Sequence, residues 1–136
     1  MSCYSAVPAG SSQLPVKALR VLVVDDNVGL AENIAEILDG EGYQTEIAAS
    51  AEEALPKARA HDFAVLVTDY RLPGLTGIEL IKSLGDEGRH PRAVVISAYA
   101  DDGTLNEAEE VGAKFFGKPV DLTMLGAFLR ELPGVS

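Results

Sequence analysis

A doubly wound α/β fold around a five-stranded parallel sheet is predicted by three features of this 136-residue chain. Short continuous apolar runs recur along it: VLVV, VLVT, AVVI and the pair Phe115-Phe116. Strands covered on both faces read this way, as unbroken rather than alternating apolar runs. Amphipathic stretches of helical period lie between the runs and supply the crossovers that a parallel sheet needs. Each run also stops at a reactive polar residue: Asp25-Asp26, Asp69, Ser97 and Lys118. Ligands of this fold class bind outside the carboxyl ends of the strands, so these groups are expected to share one pocket.

The elements follow in order from residue 17. Arg20–Val24 reads as the first strand, followed by a helix from Val28 with Leu30, Ile34, Ile37 and Leu38 at helical spacing and Gly40 and Gly42 at its end. Tyr43–Ala48 is the second strand. Ser50-Ala51-Glu52-Glu53 fits a capping box opening the second helix, in which Pro56 predicts a kink or a short first turn. The third strand, Ala64–Thr68, delivers Asp69 into the loop Tyr70–Leu75, before a helix over Gly77–Leu84. Ala93–Ile96 is the fourth strand and leads through a polar turn at 99–104 to a short acidic helix near Leu105–Val111. Lys114–Gly117 is the last strand; Asp121 caps a final helix with Leu122, Leu125, Leu129 and Leu132 along one stripe.

Composition narrows the class. A hydrophobic content of 47% suffices for the core of one domain, expected over residues 17–133 between a disordered Ser/Gly/Pro/Ala-rich tail at 1–16 and a short tail at 134–136. Cys3 is the single cysteine, which excludes an intramolecular disulfide and favours a reducing, cytoplasmic location. No stretch has the form of a signal peptide or a membrane span. The net charge of −10 argues against direct nucleic-acid binding, because that affinity comes from Lys and Arg neutralising phosphates.

The strand-end residues suit one kind of chemistry. Adjacent Asp25 and Asp26 offer hard oxygen ligands to a divalent cation, and magnesium fits best because it also takes water and phosphate oxygens. The alternative is that Asp-Asp-Asn only caps the next helix, although Asn27 suffices for that. Asp69 is a candidate nucleophile able to form an aspartyl phosphate. A dication relieves the repulsion of the clustered acids and bridges phosphoryl oxygens. Ser97 can donate to such an oxygen, and Lys118 can offset its charge. Pro119 follows Lys118, and an X–Pro bond admits the cis isomer that aims the lysine inward, although most are trans. His61 and His90 lie in loops without metal-ligand spacing, and Gly40-Glu41-Gly42 lacks the rest of a dinucleotide fingerprint.

The motifs VLVVDDN, VTDYRLPGLTGIEL, VVISA and FFGKP, in that order across about residues 17–133, resemble the receiver domain of two-component response regulators. The resemblance implies a flavodoxin-like (βα)5 fold with strand order 2-1-3-4-5. It implies that Asp69 accepts a phosphoryl group from a phosphohistidine on a sensor histidine kinase or a phosphotransfer protein. Asp26, Asp69 and the backbone carbonyl of Arg71 would bind Mg2+, with Asp25 acting mostly through water. Ser97 and Lys118 would hold the phosphoryl oxygens, and Phe115 would be the switch aromatic that follows Ser97, with Phe116 as the alternative. Arg71 and Tyr99 would flank the water that hydrolyses the phosphoryl group and tune its lifetime. Thr76 stands where an acid or small polar residue is frequent; the alternative is that it simply caps the next helix.

The same resemblance places the readout on the fourth helix, last strand and final helix, near Glu107, Glu110, Phe115, Met124 and Phe128, for a downstream protein or a homodimer. The expectation is a signalling phosphoacceptor rather than an enzyme acting on other substrates, either a single-domain regulator or a receiver cut from a longer regulator or hybrid kinase. Two other readings stay open: a phosphorylation-independent protein-binding module, and a small Mg-dependent phosphatase using Asp69. Against the second, Arg71 stands where an acid would be wanted for general acid/base work.

Overall fold

The computed structural model describes residues 19–98, 102–118 and 121–130. Five strands alternate with five helices: β1 (Arg20–Val24), α1 (Val28–Gly40), β2 (Gln44–Ala48), α2 (Ala51–Ala60), β3 (Val65–Asp69), α3 (Gly77–Asp86), β4 (Arg92–Ser97), α4 (Asp102–Glu110), β5 (Lys114–Gly117) and α5 (Leu122–Arg130). The strands form one sheet in the order β2-β1-β3-β4-β5, and every pairing is parallel.

Alternate strand residues go to opposite faces. Val21, Val23, Val65, Val67, Val94 and Ile96 pack with Ile34 and Leu38 of α1 and with Leu125 and Leu129 of α5. On the other face Leu22, Val24 and Leu66 meet Ala54 and Ala58 of α2 and Leu80 and Leu84 of α3. Val95 packs with Ile78 of α3 and Ala108 of α4. Burying each large aliphatic side chain contributes about 1.5–3 kcal/mol, so both faces are needed to hold the strand ends in register.

Several boundaries differ from the sequence expectations for local reasons. β2 starts at Gln44 because the Tyr43 N–H donates to the Leu38 carbonyl and closes the end of α1, whereas the Gln44 N–H joins the sheet at Leu19. β3 continues through Asp69, which pairs with Ile96. β4 gains a residue at each end, α3 runs on to Asp86, and α4 begins at Asp102. α2 contains Pro56 without interruption; the missing donor would have served the carbonyl of Glu52, an exposed residue that water can satisfy. Ser50 caps α2 by accepting from the Glu53 N–H. The Glu53 carboxylate, however, accepts from Ala49 rather than from Ser50, so the reciprocal bond of the expected box falls one residue early. Ile37 is exposed, and the buried stripe of α1 is Ala31, Ile34, Ala35 and Leu38. The tails at 1–16 and 134–136, Tyr99, Leu132 and the Lys118–Pro119 peptide geometry lie outside the described residues.

Candidate functional site

The carboxyl end of β1 turns on Asp25. Its N–H donates to the Ala48 carbonyl at 3.0 Å and extends the ladder by one residue. The pleat therefore turns its side chain inward, where it is 2% exposed, while Asp26 is exposed. Asp25 Oδ1 accepts from the Asn27 N–H at 2.8 Å. Asn27 caps α1 by accepting from the Leu30 N–H, which leaves both aspartates unneeded for capping.

β3 delivers Asp69, and the chain beyond it is held on two sides. The Tyr70 N–H donates to the Ile96 carbonyl at 2.8 Å, and the Tyr70 carbonyl accepts from the Gly77 N–H at 2.7 Å. An antiparallel bridge between Arg71 and Thr76 closes the loop. Thr76 then opens α3 with a complete capping box, its hydroxyl accepting from the Glu79 N–H while the Glu79 carboxylate accepts from the Thr76 N–H. Gly77 is required by close approach: a Cβ there would overlap the Asp69 carbonyl oxygen and lie 2.9 Å from the Thr68 side chain.

β4 ends at Ser97, 2% exposed, whose carbonyl accepts from the Lys118 N–H at 2.8 Å. That bond turns Lys118 back over the sheet edge. Its Nζ lies 3.2 Å from Asp69 Oδ2 and 3.5 Å from Asp25 Oδ2. Asp25, Asp26 and Asp69 each offer a carboxylate oxygen within 4.8 Å of the others. Of the residues expected at the site, Asp25, Asp26, Asp69 and Lys118 thus meet directly, and Ser97 occupies the next strand end. Phe115 stands apart on the α3/α4 face, packed against Ile78, Val95 and Ala108. Phe116 takes the opposite face, edge-on to Phe128 at 6.0 Å between ring centroids. Phe128 is accordingly tied into the core, and of the two final-helix residues expected near the readout surface Met124 is the exposed one, at 59%.

The cluster is electrostatically poised. Burial pushes the Asp25 carboxyl above the usual range, opposed by the Asn27 N–H and reinforced by the charge of Asp69. Burial also works against the Lys118 ammonium, but Asp69 and Asp25 outweigh it and hold its pKa above the ordinary lysine value. Three carboxylates against one ammonium leave two negative charges that Lys118 does not balance. Two carboxylates at 4.8 Å repel by roughly 3.5 kcal/mol at an effective dielectric of about 20, less where Asp26 faces water. An all-oxygen donor set with that deficit fits a hard divalent cation such as Mg2+.

Sequence reasoning missed two participants. Gly77 lies inside the motif VTDYRLPGLTGIEL, but nothing in the sequence says that its missing side chain makes room for the Asp69 carbonyl. Tyr70, beside Asp69, donates its hydroxyl to Glu107 of α4 at 3.2 Å, a contact that only the packing of α4 against β4 and β5 brings about. His61 and His90 line a cavity of about 320 Å³ with Phe63, Leu66 and Leu84 at the amino edge of the sheet, away from the carboxylates.

Residues 21–130 match the response regulator receiver domain family. The chain belongs to that family. A response regulator receiver protein of Anaeromyxobacter sp. is 42% identical over 93 residues, covering 68% of this chain and 39% of that protein. Sporulation initiation phosphotransferase F of Bacillus subtilis is 32% identical over 104 residues, 76% of this receiver and 84% of the relative. Transcriptional regulatory protein FixJ of Azorhizobium caulinodans is 33% identical over 121 residues, covering 88% and 57%. The receiver thus spans less than two thirds of two of these three relatives. Among solved structures, a response regulator receiver protein from Pseudomonas putida superposes with a TM-score of 0.80 at 28% identity, covering 85% of this chain and 98% of that one. A CheY-like receiver domain from Methanospirillum hungatei gives 0.78 at 30% identity, covering 84% and 92%. Among the described residues no helix is long and apolar enough to cross a membrane.

Proposed function

We propose that this receiver is a phosphorylation-activated signalling domain that takes a phosphoryl group on Asp69 from a phosphohistidine of a sensor histidine kinase or phosphotransfer protein in the cytoplasm. The observation that carries the reading is Lys118 Nζ standing between Asp69 and Asp25 in a cluster of three carboxylates. A carboxylate oxygen of Asp69 forms the new O–P bond as the P–N bond to the donor imidazole breaks, and the imidazole nitrogen keeps the electron pair and takes up a proton. Asp25, Asp26, Asp69 and the Arg71 carbonyl would hold Mg2+, which supplies charge neutralisation at the phosphoryl oxygens when bound. Lys118 stays protonated across the physiological range, since its pKa lies above the ordinary value, and holds a phosphoryl oxygen as a point cation. Ser97 donates its hydroxyl to another.

That last contact links chemistry to signal. Drawing Ser97 toward the phosphoryl group frees the space into which Phe115 turns, and the α4-β5-α5 surface, with Met124 exposed, passes the change to a downstream protein or a second copy. Moving such an equilibrium from about 1% to 99% active takes roughly 5.5 kcal/mol of differential interaction, within reach of two charge-assisted hydrogen bonds together with the charge neutralisation a bound cation would supply. Arg71 and Tyr99, each two residues along the sequence from a site residue, set how long the state lasts. The domain catalyses only its own phosphorylation and dephosphorylation.

Intact mass after incubation with acetyl phosphate, with and without Mg2+, tests this for the wild type and Asp69→Asn. A single phosphoryl gain that requires both Asp69 and Mg2+ is expected. A folded wild type that gains none overturns the proposal and favours the phosphorylation-independent binding module.

A further inference from the structure

The fourth helix has little apolar anchorage. Among its described side chains Thr104 and Ala108 are buried, and Leu105 is exposed. Ala108 brings only a methyl group to the cluster with Ile78 and Val95. A polar link to the neighbouring loop therefore carries a large share of what positions α4. That link comes from the residue beside Asp69: the Tyr70 hydroxyl donates to Glu107 at 3.2 Å to Oε2 and 3.4 Å to Oε1.

We infer that Tyr70 is a positioning residue that tethers α4 to the loop of the phosphoacceptor through Glu107. Three observations combine. The Tyr70 main chain is held at both ends, by the Ile96 carbonyl at 2.8 Å and the Gly77 N–H at 2.7 Å, so a displacement at Asp69 is not absorbed there. Its ring is confined by the cluster that holds Ile78, Val95 and Phe115, and a phenol has only two side-chain torsions to yield. Its far end reaches α4 through a hydroxyl shared between both carboxylate oxygens of Glu107, at 3.2 and 3.4 Å. The tether favours the α4 position seen here, and any state in which loop and helix part must give it up. It rests on the phosphoacceptor reading of Asp69 only for its signalling consequence; the bond itself needs neither metal nor phosphoryl group.

Hydrogen exchange of the full chain, followed by mass spectrometry on the peptide spanning α4, tests the tether without metal. Tyr70→Phe keeps the ring and removes the donor, and is expected to speed α4 exchange about five- to tenfold while β2 changes by less than about twofold. Glu107→Ala should do the same, and the double variant should exchange no faster than the faster single one, because one bond is removed only once. An α4 rate within about twofold of wild type in Tyr70→Phe, a matching rise in β2, or multiplicative effects in the double variant would overturn the inference. With acetyl phosphate and Mg2+, the phosphorylation-induced change in α4 exchange should be smaller in Tyr70→Phe than in wild type. If wild type gains no phosphoryl group the proposed function fails, whereas the metal-free comparison still decides the tether.

Discussion

Gly77→Ala and Gly85→Ala are the same substitution on the same helix, and the structure predicts opposite signs for them. Both residues lie in α3 and neither has a positive φ, so backbone strain is not at issue. At position 85 the new methyl would sit 3.5 Å from His90 Cε1, an ordinary contact, and helix propensity should dominate, with a gain of about 0.5 kcal/mol in this last turn. At position 77 the methyl would overlap the Asp69 carbonyl oxygen and press on Thr68 at 2.9 Å. Both obstacles belong to a buried central strand and cannot swing aside. Overpacking of this kind costs about 1–3 kcal/mol. Lengthening the 2.7 Å bond from the Gly77 N–H to the Tyr70 carbonyl adds about 1 kcal/mol, and the propensity gain is small in a first turn. A net loss of about 2 kcal/mol is expected, or roughly 8 °C in Tm for a domain of this size. Because the clash falls on Asp69 itself, Mg2+ affinity should fall as well. Urea unfolding followed by far-UV circular dichroism, repeated across a Mg2+ titration, measures both effects. If Gly77→Ala matches or exceeds wild type in stability, the steric reasoning is wrong, and equal effects of the two variants would reduce α3 to propensity alone.

Further expectations concern the charge cluster and α2. Asp25 has its folded pKa raised, first by burial and then by Asp69, so its ionisation penalises the native state; the penalty is absent below the unfolded pKa and complete above the folded one. Asp25→Asn, which can still accept from Asn27, should therefore stabilise the metal-free protein near neutral pH by about 1 kcal/mol, with the difference vanishing in acid and the stabilisation by Mg2+ reduced; a less stable metal-free variant at pH 7 would contradict this. Lys118→Met removes the cation between Asp69 and Asp25 and should cost about 1–2 kcal/mol without metal, a loss that thermal melts should find partly restored by Mg2+. Pro56→Ala returns a donor to α2 and should raise stability by about 2 kcal/mol, with an unchanged urea midpoint as the contrary result.

Much of the site was legible because the relevant physics is local. Apolar runs that stop at Asp25, Asp69, Ser97 and Lys118 reveal both the buried strands and the chemistry at their ends, and a parallel sheet must bring those ends to one edge. The caps at Asn27, Thr76 and Asp121 likewise depend on residues within a few positions of each other. Where the reading slipped, a competing hydrogen bond had decided matters: Tyr43 was taken by α1 rather than β2, and Glu53 reached Ala49 rather than Ser50. Phe128 illustrates a different difficulty. Its sequence position marks it as lying beside the helix stripe, but not that Phe116 from β5 would lie 6.0 Å away and tie it in.

By itself, then, the sequence determined the fold class, the strand-end residues and the family, because periodicity, capping and motif spacing are properties of neighbours along the chain. Only the tertiary structure decided which of two adjacent aspartates is buried, since that follows from the bond of Asp25 to Ala48 on another strand. It also decided that Lys118 reaches both Asp25 and Asp69, that α3 admits nothing larger than glycine at 77, and that Tyr70 finds Glu107. The Gly77 approach comes from a loop that folds back on its own strand; the others depend on distances between segments far apart in the sequence, which the register of the parallel sheet and the packing of helices on it set.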